Sequence, residues 1–253
     1  MVGMTLNAPS FTTPSFFGVD DAEKFWTGID ALTGSLTNQR GVFASDNLVA
    51  FERSLGFMTD KPLIESYKQH AETIAEKGAL WRLVTLTWAA RQALKVEGDF
   101  IECGCYKGTT AKIISETIDF KNIEKTYYLY DIFDHDVAMS HHAMPEHSAS
   151  LEQQVRARFL DTKNVRIIAG AVPDSLVEAP ETIALLHLDL NNAEAEISAL
   201  EVLFDRVSPG GIVILDDFGW LAYERQRSAE TAWFAKRGYP ILELPTGQGL
   251  VVR

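Results

Sequence analysis

Two apolar runs that end in acids carry the clearest chemistry in this sequence. Leu185-Leu186-His187-Leu188-Asp189 is one, and Val213-Ile214-Leu215-Asp216-Asp217 repeats the arrangement one helix-length later. As neighbouring parallel strands joined by a right-handed crossover, they bring their carboxyl ends to one rim of a sheet. Asp189, Asp216 and Asp217 then converge, and converging carboxylates call for protons or a cation. Oxygen-only ligation with room for water suits Mg²⁺ better than zinc. Each acid alone also fits a helix cap, Asp189 ahead of a helix from Glu194 and Asp216-Asp217 ahead of one from Tyr223. His187, inside its strand, reads as a core histidine rather than a ligand.

A second constellation lies upstream. Glu102-Cys103-Gly104-Cys105-Tyr106-Lys107-Gly108-Thr109-Thr110 follows an apolar run and opens a helix. An open α/β sheet offers glycine-rich backbone and free helix amides to a ligand at such a place. The spacing is not G-x-G-x-x-G, which disfavours a nicotinamide cofactor. Asp131 closes the next apolar run, Tyr128-Leu129-Tyr130, where an acid can accept both hydroxyls of a ribose or simply cap a turn. Glycine loop and strand-end acid within one βαβ unit favour an adenosine-containing ligand.

These residues need a parallel sheet to hold them, and the pattern from Gly98 onward supplies one: short apolar runs alternate with helix-length segments. Strands are expected at 100–103, 126–130, 165–169, 183–188 and 212–215, and helices at 109–118, 148–160, 194–207 and 223–236. A closing antiparallel hairpin is expected from 241–244 and 249–252 around Thr246-Gly247. Between Lys61 and Val96, apolar residues at three- and four-residue steps argue for one or two amphipathic helices, with Gly78 as a divider. Residues 1–60 show no long period and read as irregular or short-helical. The chain is thus expected to be one integrated domain, an extension over 1–97 packed on an α/β core over 98–253.

Composition narrows the partners. With 23 Lys and Arg against 35 Asp and Glu, the formal charge is -12, which repels nucleic acid and anionic lipid surfaces alike. The two cysteines, Cys103 and Cys105, lie in one apolar run and do not suit a disulfide, so a reduced compartment is expected. The first 17 residues lack Lys and Arg and carry Pro9 and Pro14, unlike a secretory signal. No apolar stretch approaches the roughly 20 residues of a membrane span. A cytoplasmic, homo-oligomeric protein acting on a small molecule is the expectation.

Four segments in order resemble the class I S-adenosylmethionine-dependent methyltransferases, and more narrowly the macrocin O-methyltransferase (TylF-like) family: 102–108, Tyr128-Leu129-Tyr130-Asp131-Ile132-Phe133, Leu186-His187-Leu188-Asp189, and Ser208-Pro209-Gly210-Gly211 through Asp216-Asp217-Phe218-Gly219. The resemblance implies a Rossmann-like α/β fold with a mostly parallel seven-stranded sheet, helices on both faces, a C-terminal antiparallel hairpin and an N-terminal helical extension. It implies that Glu102, Gly104, Tyr106, Lys107, Gly108 and Thr109 hold the methionine end of S-adenosylmethionine. Asp131 would take the ribose, Gly170-Ala171 would lie near adenine, and Asp189 would border the cofactor. It also implies that Asp189, Asp216 and Asp217 bind Mg²⁺, which would grip two neighbouring hydroxyls of the acceptor.

One position departs from the family pattern. The usual Asp-x-Asp after the fourth strand is here Asp189-Leu190-Asn191, and the aromatic that usually follows is Ala193. An amide cannot take a proton as a carboxylate can, so no base role carries over to Asn191. The segment 133–150 holds four of the six histidines, and His142 and His141 are its candidate catalytic residues. Two other readings stand beside O-methylation: the same pocket with N- or carboxyl-methylation or a non-methylating reaction, and a non-catalytic ligand-binding module.

Overall fold

The computed structural model describes residues 9–36, 41–135 and 144–253. The chain divides into two compact units, Met1–Val84 and Thr85–Arg253.

In the first unit, β1 (Phe11–Thr12) precedes α1 (Ala22–Gly34), whose first turn is capped by the Asp21 carboxylate accepting from the Lys24 amide. β2 (Phe43–Ser45) pairs in parallel with β1 and antiparallel with β3 (Leu48–Ala50). Between β2 and β3, Asp46 and Asn47 take φ of 51° and 54°, the left-handed pair that a two-residue hairpin needs and that Asp and Asn tolerate. Phe43 is fully buried, stacked on Phe11 and met edge-on by Trp81. This small sheet corrects the expectation of irregular or short-helical structure before residue 60, because strands of two or three residues are too short to show alternation. The amphipathic stretch from Lys61 likewise forms three helices, not one or two. α2 (Lys61–His70) is capped by Asp60, α3 (Ile74–Gly78) by a Thr73–Glu76 capping box, and α4 (Leu80–Ala93) follows.

The second unit contains β4 (Asp99–Cys103), α5 (Thr109–Thr117), β5 (Tyr127–Asp131), α6 (Leu151–Arg158), β6 (Val165–Ala169), β7 (Ile183–Leu188), α7 (Ala193–Leu203), β8 (Val207–Leu215), α8 (Glu224–Arg237), β9 (Leu242–Glu243) and β10 (Gly249–Val252). They build one seven-stranded sheet in the order β6-β5-β4-β7-β8-β10-β9. β4 to β8 run parallel, and β10 lies antiparallel to both β8 and β9. This is the Rossmann-like sheet and terminal hairpin that the sequence implies. Side chains alternate between two faces. Phe100, Leu129 and Ile214 pack with Ile114 of α5 and Val155 of α6, while Ile101, Leu186 and Val213 pack with Leu200 of α7 and Phe234 of α8.

One boundary moves. The helix expected over 194–207 stops at Leu203, and a 3-10 turn (Phe204–Arg206) leads into β8, which starts at Val207 rather than Ile212. A register shift against β7 between Ile183 and Leu185 accommodates the Pro209-Gly210-Gly211 stretch within that strand. No helix among the described residues is long and apolar enough to cross a membrane.

Candidate active site

Strand register brings the acids together. Glu102 of β4 pairs with His187 of β7, and Leu188 pairs with Leu215 of β8, so Gly104, Asp189 and Asp216 leave the sheet at one rim. The β4 and β7 loops touch closely: Gly104 has φ of +92°, and a Cβ built there would run into the Asp189 carbonyl. Only glycine meets both demands.

Beneath that rim a row of buried polar groups crosses five strands. The Tyr127 hydroxyl donates to Glu102 Oε2 at 2.7 Å. His187 Nδ1 lies 3.7 Å from Glu102 Oε1, an ion-pair distance, and His187 Nε2 lies 3.4 Å from Asp216 Oδ1. The Gln248 amide donates to the same Asp216 oxygen at 2.8 Å and accepts from Thr246. Glu102 and His187 are each 1% exposed and Asp216 6%. Burial pushes the imidazole pKa down, but the flanking Asp216 and Glu102 outweigh it and hold the pKa well above its ordinary value. That balance favours the imidazolium form of His187 between the two acids.

The group of possible metal ligands among the described residues is His187, Asp189 and Asp216, whose ligand atoms all lie within 4.8 Å of one another. Asp217 is buried beside them in sequence, and its charge acts on Glu196 and Glu230 of α7 and α8. The Asp189 and Asp216 carboxylates offer the hard oxygen donors that Mg²⁺ prefers, so the donor set fits such an ion. Asn191, at φ +55°, turns its side-chain amide back to donate to Asp189 Oδ1 at 3.1 Å. It orients that carboxylate.

A cleft opens along the same rim. Gly104, Tyr106, Asp131, Gly170 and Asp189, all picked out from sequence, wall it together with Ile132, Met144, His147, Val172, Leu190 and Asn191. Glu102, Lys107, Gly108, Thr109 and Ala171 are not on that wall. Gly108 instead makes room for Phe159 and Val155. The Asp131 carboxylate accepts from the amides of Tyr106 and Phe133, at 2.7 and 2.8 Å. Burial raises its pKa, against which the Phe133 amide, His147 and the Ile132 amide pull. A carboxylate held by backbone amides on the cleft wall, beside two glycines, fits a polar, hydroxyl-bearing ligand of the adenosyl type.

The segment after β5 returns over the glycine loop. The Glu146 amide donates to the Tyr106 hydroxyl at 3.0 Å, the Ser148 amide to the Phe133 carbonyl, and His147 stands edge-on to Tyr106 with Nε2 3.7 Å from Asp131. The sequence marked this histidine-rich segment but favoured His141 and His142, which lie outside the described residues. His147 is the histidine seen on the cleft, and no spacing signal distinguished it. Cys103 and Cys105 are free and buried, and burial above all pushes both thiols well up in pKa.

Comparison with known proteins shows the family and the fold. The sequence profile of "Macrocin-O-methyltransferase (TylF)" matches residues 79–238. The chain is 31% identical over 158 residues to 8-demethyl-8-(2,3-dimethoxy-alpha-L-rhamnosyl)-tetracenomycin-C 4'-O-methyltransferase of Streptomyces olivaceus, covering 55% of this chain and 60% of that protein. It is 27% identical over 190 residues to mycinamicin III 3''-O-methyltransferase of Micromonospora griseorubida, covering 64% and 74%. The chain thus spans about three fifths of the length of the first relative. The solved structure of the O-methyltransferase NovP shares the fold, with a TM-score of 0.59 at 20% identity over 74% of this chain and 88% of that one. With the profile covering well over half of its length, this chain belongs to the macrocin O-methyltransferase (TylF) family.

Proposed function

We propose that this protein is a Mg²⁺-dependent, S-adenosylmethionine-dependent O-methyltransferase acting on a hydroxyl of a small metabolite, a natural-product sugar or other vicinal diol. The observation that carries this reading is the position of Asp189, which both walls the Asp131 cleft and belongs to the carboxylate group with Asp216. A cofactor methyl and an acceptor hydroxyl would meet there. Family membership and two relatives that methylate sugar hydroxyls support the acceptor class.

The cofactor's sulfonium supplies an electrophilic methyl, and a divalent cation supplies a Lewis acid that lowers the pKa of a bound hydroxyl. The protein's task is alignment. Asp131 would take the ribose hydroxyls while Tyr106 and Phe133 hold its carboxylate in place. Asp189 and Asp216 would hold the metal, with Asp217 as the third carboxylate of the set. Asn191 fixes Asp189 by hydrogen bonding, and His187 and Gln248 hold Asp216 in place. The amide at 191 leaves no carboxylate base there.

Calorimetry with S-adenosylhomocysteine and mass analysis of products from sugar and catechol-like acceptors test this reading. Binding of the nucleoside product and a gain of one methyl on oxygen are expected, with activity lost in excess chelator. Full turnover in chelator would remove the metal from the proposal, and methyl found on nitrogen or a carboxylate would redirect the chemistry.

A further inference from the structure

Behind the Asp189 turn, α7 and α8 enclose two acids with no exposed surface at all. Glu196 and Glu230 are each 0% exposed, and Gln226, one turn before Glu230, is 2% exposed. Glu196 Oε1 accepts the amide of Leu190 at 2.9 Å. Its other oxygen Oε2, and both oxygens of Glu230, meet no N–H or O–H donor among the described residues, and both polar atoms of Gln226 are likewise unpartnered. Glu196 and Glu230 lie on helices that pack together and each acts on the other's carboxyl, so the other acid is the partner open to these unsatisfied oxygens. Two carboxylates cannot hydrogen-bond unless one carries a proton, and two buried carboxylates in contact cannot both ionise.

That proton gives Glu196 a defined chemistry. As a carboxylic acid it presents a carbonyl-like oxygen to the Leu190 amide and an O–H to Glu230. Leu190 stands between Asp189, on the cleft wall, and Asn191, whose amide grips Asp189. Glu230 sits on α8, the helix that follows the Asp216-Asp217 loop. A proton shared between the two acids would join α8 through α7 to the turn that presents Asp189, whose Leu190 amide Glu196 already holds. We propose that the Glu196–Glu230 pair, holding a proton in common, is a positioning element that fixes the Asp189-Leu190-Asn191 turn for metal and acceptor. For its effect on turnover this inference rests on the function proposed above.

The test uses the full chain in four forms: wild type, Glu196→Gln, Glu196→Ala and Glu230→Gln. A glutamine at 196 copies the protonated acid, with a carbonyl for Leu190 and an N–H for Glu230. Hydrogen exchange at the Leu190 amide reads the position of the turn without any ligand. Calorimetry reads S-adenosylhomocysteine and Mg²⁺ affinity, and steady-state assays separate kcat from KM. Glu196→Gln and Glu230→Gln are expected to keep Leu190 protection and near-wild-type kcat. Glu196→Ala is expected to lose that protection and about 10- to 100-fold in Mg²⁺ affinity and kcat, as loss of a group that orients a metal ligand typically does, with nucleoside affinity unchanged. Unaltered Leu190 exchange in folded Glu196→Ala would overturn the proposal, as would an equal loss of protection in Glu196→Gln. If the wild type binds neither nucleoside nor metal, the functional reading fails, while Leu190 exchange still decides whether the pair fixes the turn.

Discussion

Replacing His187 with leucine is the sharpest perturbation of the buried polar row. The imidazolium lies 3.7 Å from Glu102 and 3.4 Å from Asp216, and all three side chains are essentially out of water. Leucine keeps most of the volume but removes the cationic partner from two buried carboxylates, which keep neutral donors such as the Tyr127 hydroxyl and the Gln248 amide. Removing one member of a buried ion pair costs about 3–5 kcal/mol, because the remaining charge is uncompensated. Those neutral donors and the added apolar contact place the expected loss at the lower end, about 3 kcal/mol. At roughly 2–4 °C per kcal/mol for a chain of this size, the melting temperature should fall by about 6–12 °C. Urea unfolding at pH 7, with a check that the slope is unchanged, measures it. Tyr127→Phe is the control, removing one hydrogen bond to a charged group for about 1.5–3 kcal/mol. A His187→Leu protein within about 1 kcal/mol of wild type would refute a charged His187.

Other outcomes follow from the same geometry. Burial above all, and then Asp217, push the Glu230 carboxyl up from 4.5 to about 7 against the pull of Glu196, so below about pH 7 the folded chain holds, besides the proton of Glu196, a second one that the unfolded chain has released. Unfolding free energy should therefore fall as pH rises from about 4.5 to about 7, by about 3 kcal/mol from this group; Glu230→Gln should flatten that part of the slope in denaturant titrations across pH. Gly104→Ala must relieve a left-handed φ and a clash with the Asp189 carbonyl, at a combined cost of about 2–5 kcal/mol, read by thermal unfolding. Asp131→Asn should weaken S-adenosylhomocysteine binding by about 10-fold or more in calorimetry, as loss of charged hydrogen bonds does. Asp216→Ala should abolish turnover and calcium or magnesium binding while leaving nucleoside affinity intact.

The catalytic-type unit was legible because its strands are long enough to carry a signal. The runs at Val165–Ala169 and Ile183–Leu188 are buried or bounded by turns, and their bounds are observed as read. Strand-end acids followed from topology alone, since parallel strands must deliver their carboxyl ends to one rim. What sequence could not tell was direction. Glu102 reads as part of a ligand loop, yet its side chain turns under the sheet rim to Tyr127 and His187. His187, read as a satisfied core residue, is buried but bridges two acids. Asp217 follows Asp216 directly, and its charge also acts on the α7–α8 acids. Glu196 and Glu230 fall at helical spacing among polar residues, where a fully buried acid has the same signature as a solvated one.

The polar row from Tyr127 through Glu102, His187 and Asp216 to Gln248 also guards the assembly of the sheet. Its members come from segments scattered over more than half of the second unit, and none can satisfy its charge with near neighbours in sequence. A one-residue slip of β7 against β4 would turn His187 to the opposite face and leave Glu102 and Asp216 buried without a counter-charge. Wrong registers are thus penalised electrostatically before packing is complete, and partly assembled sheets gain little until the last strand, β10, delivers Gln248. The row makes the fold more all-or-none than its apolar core alone would.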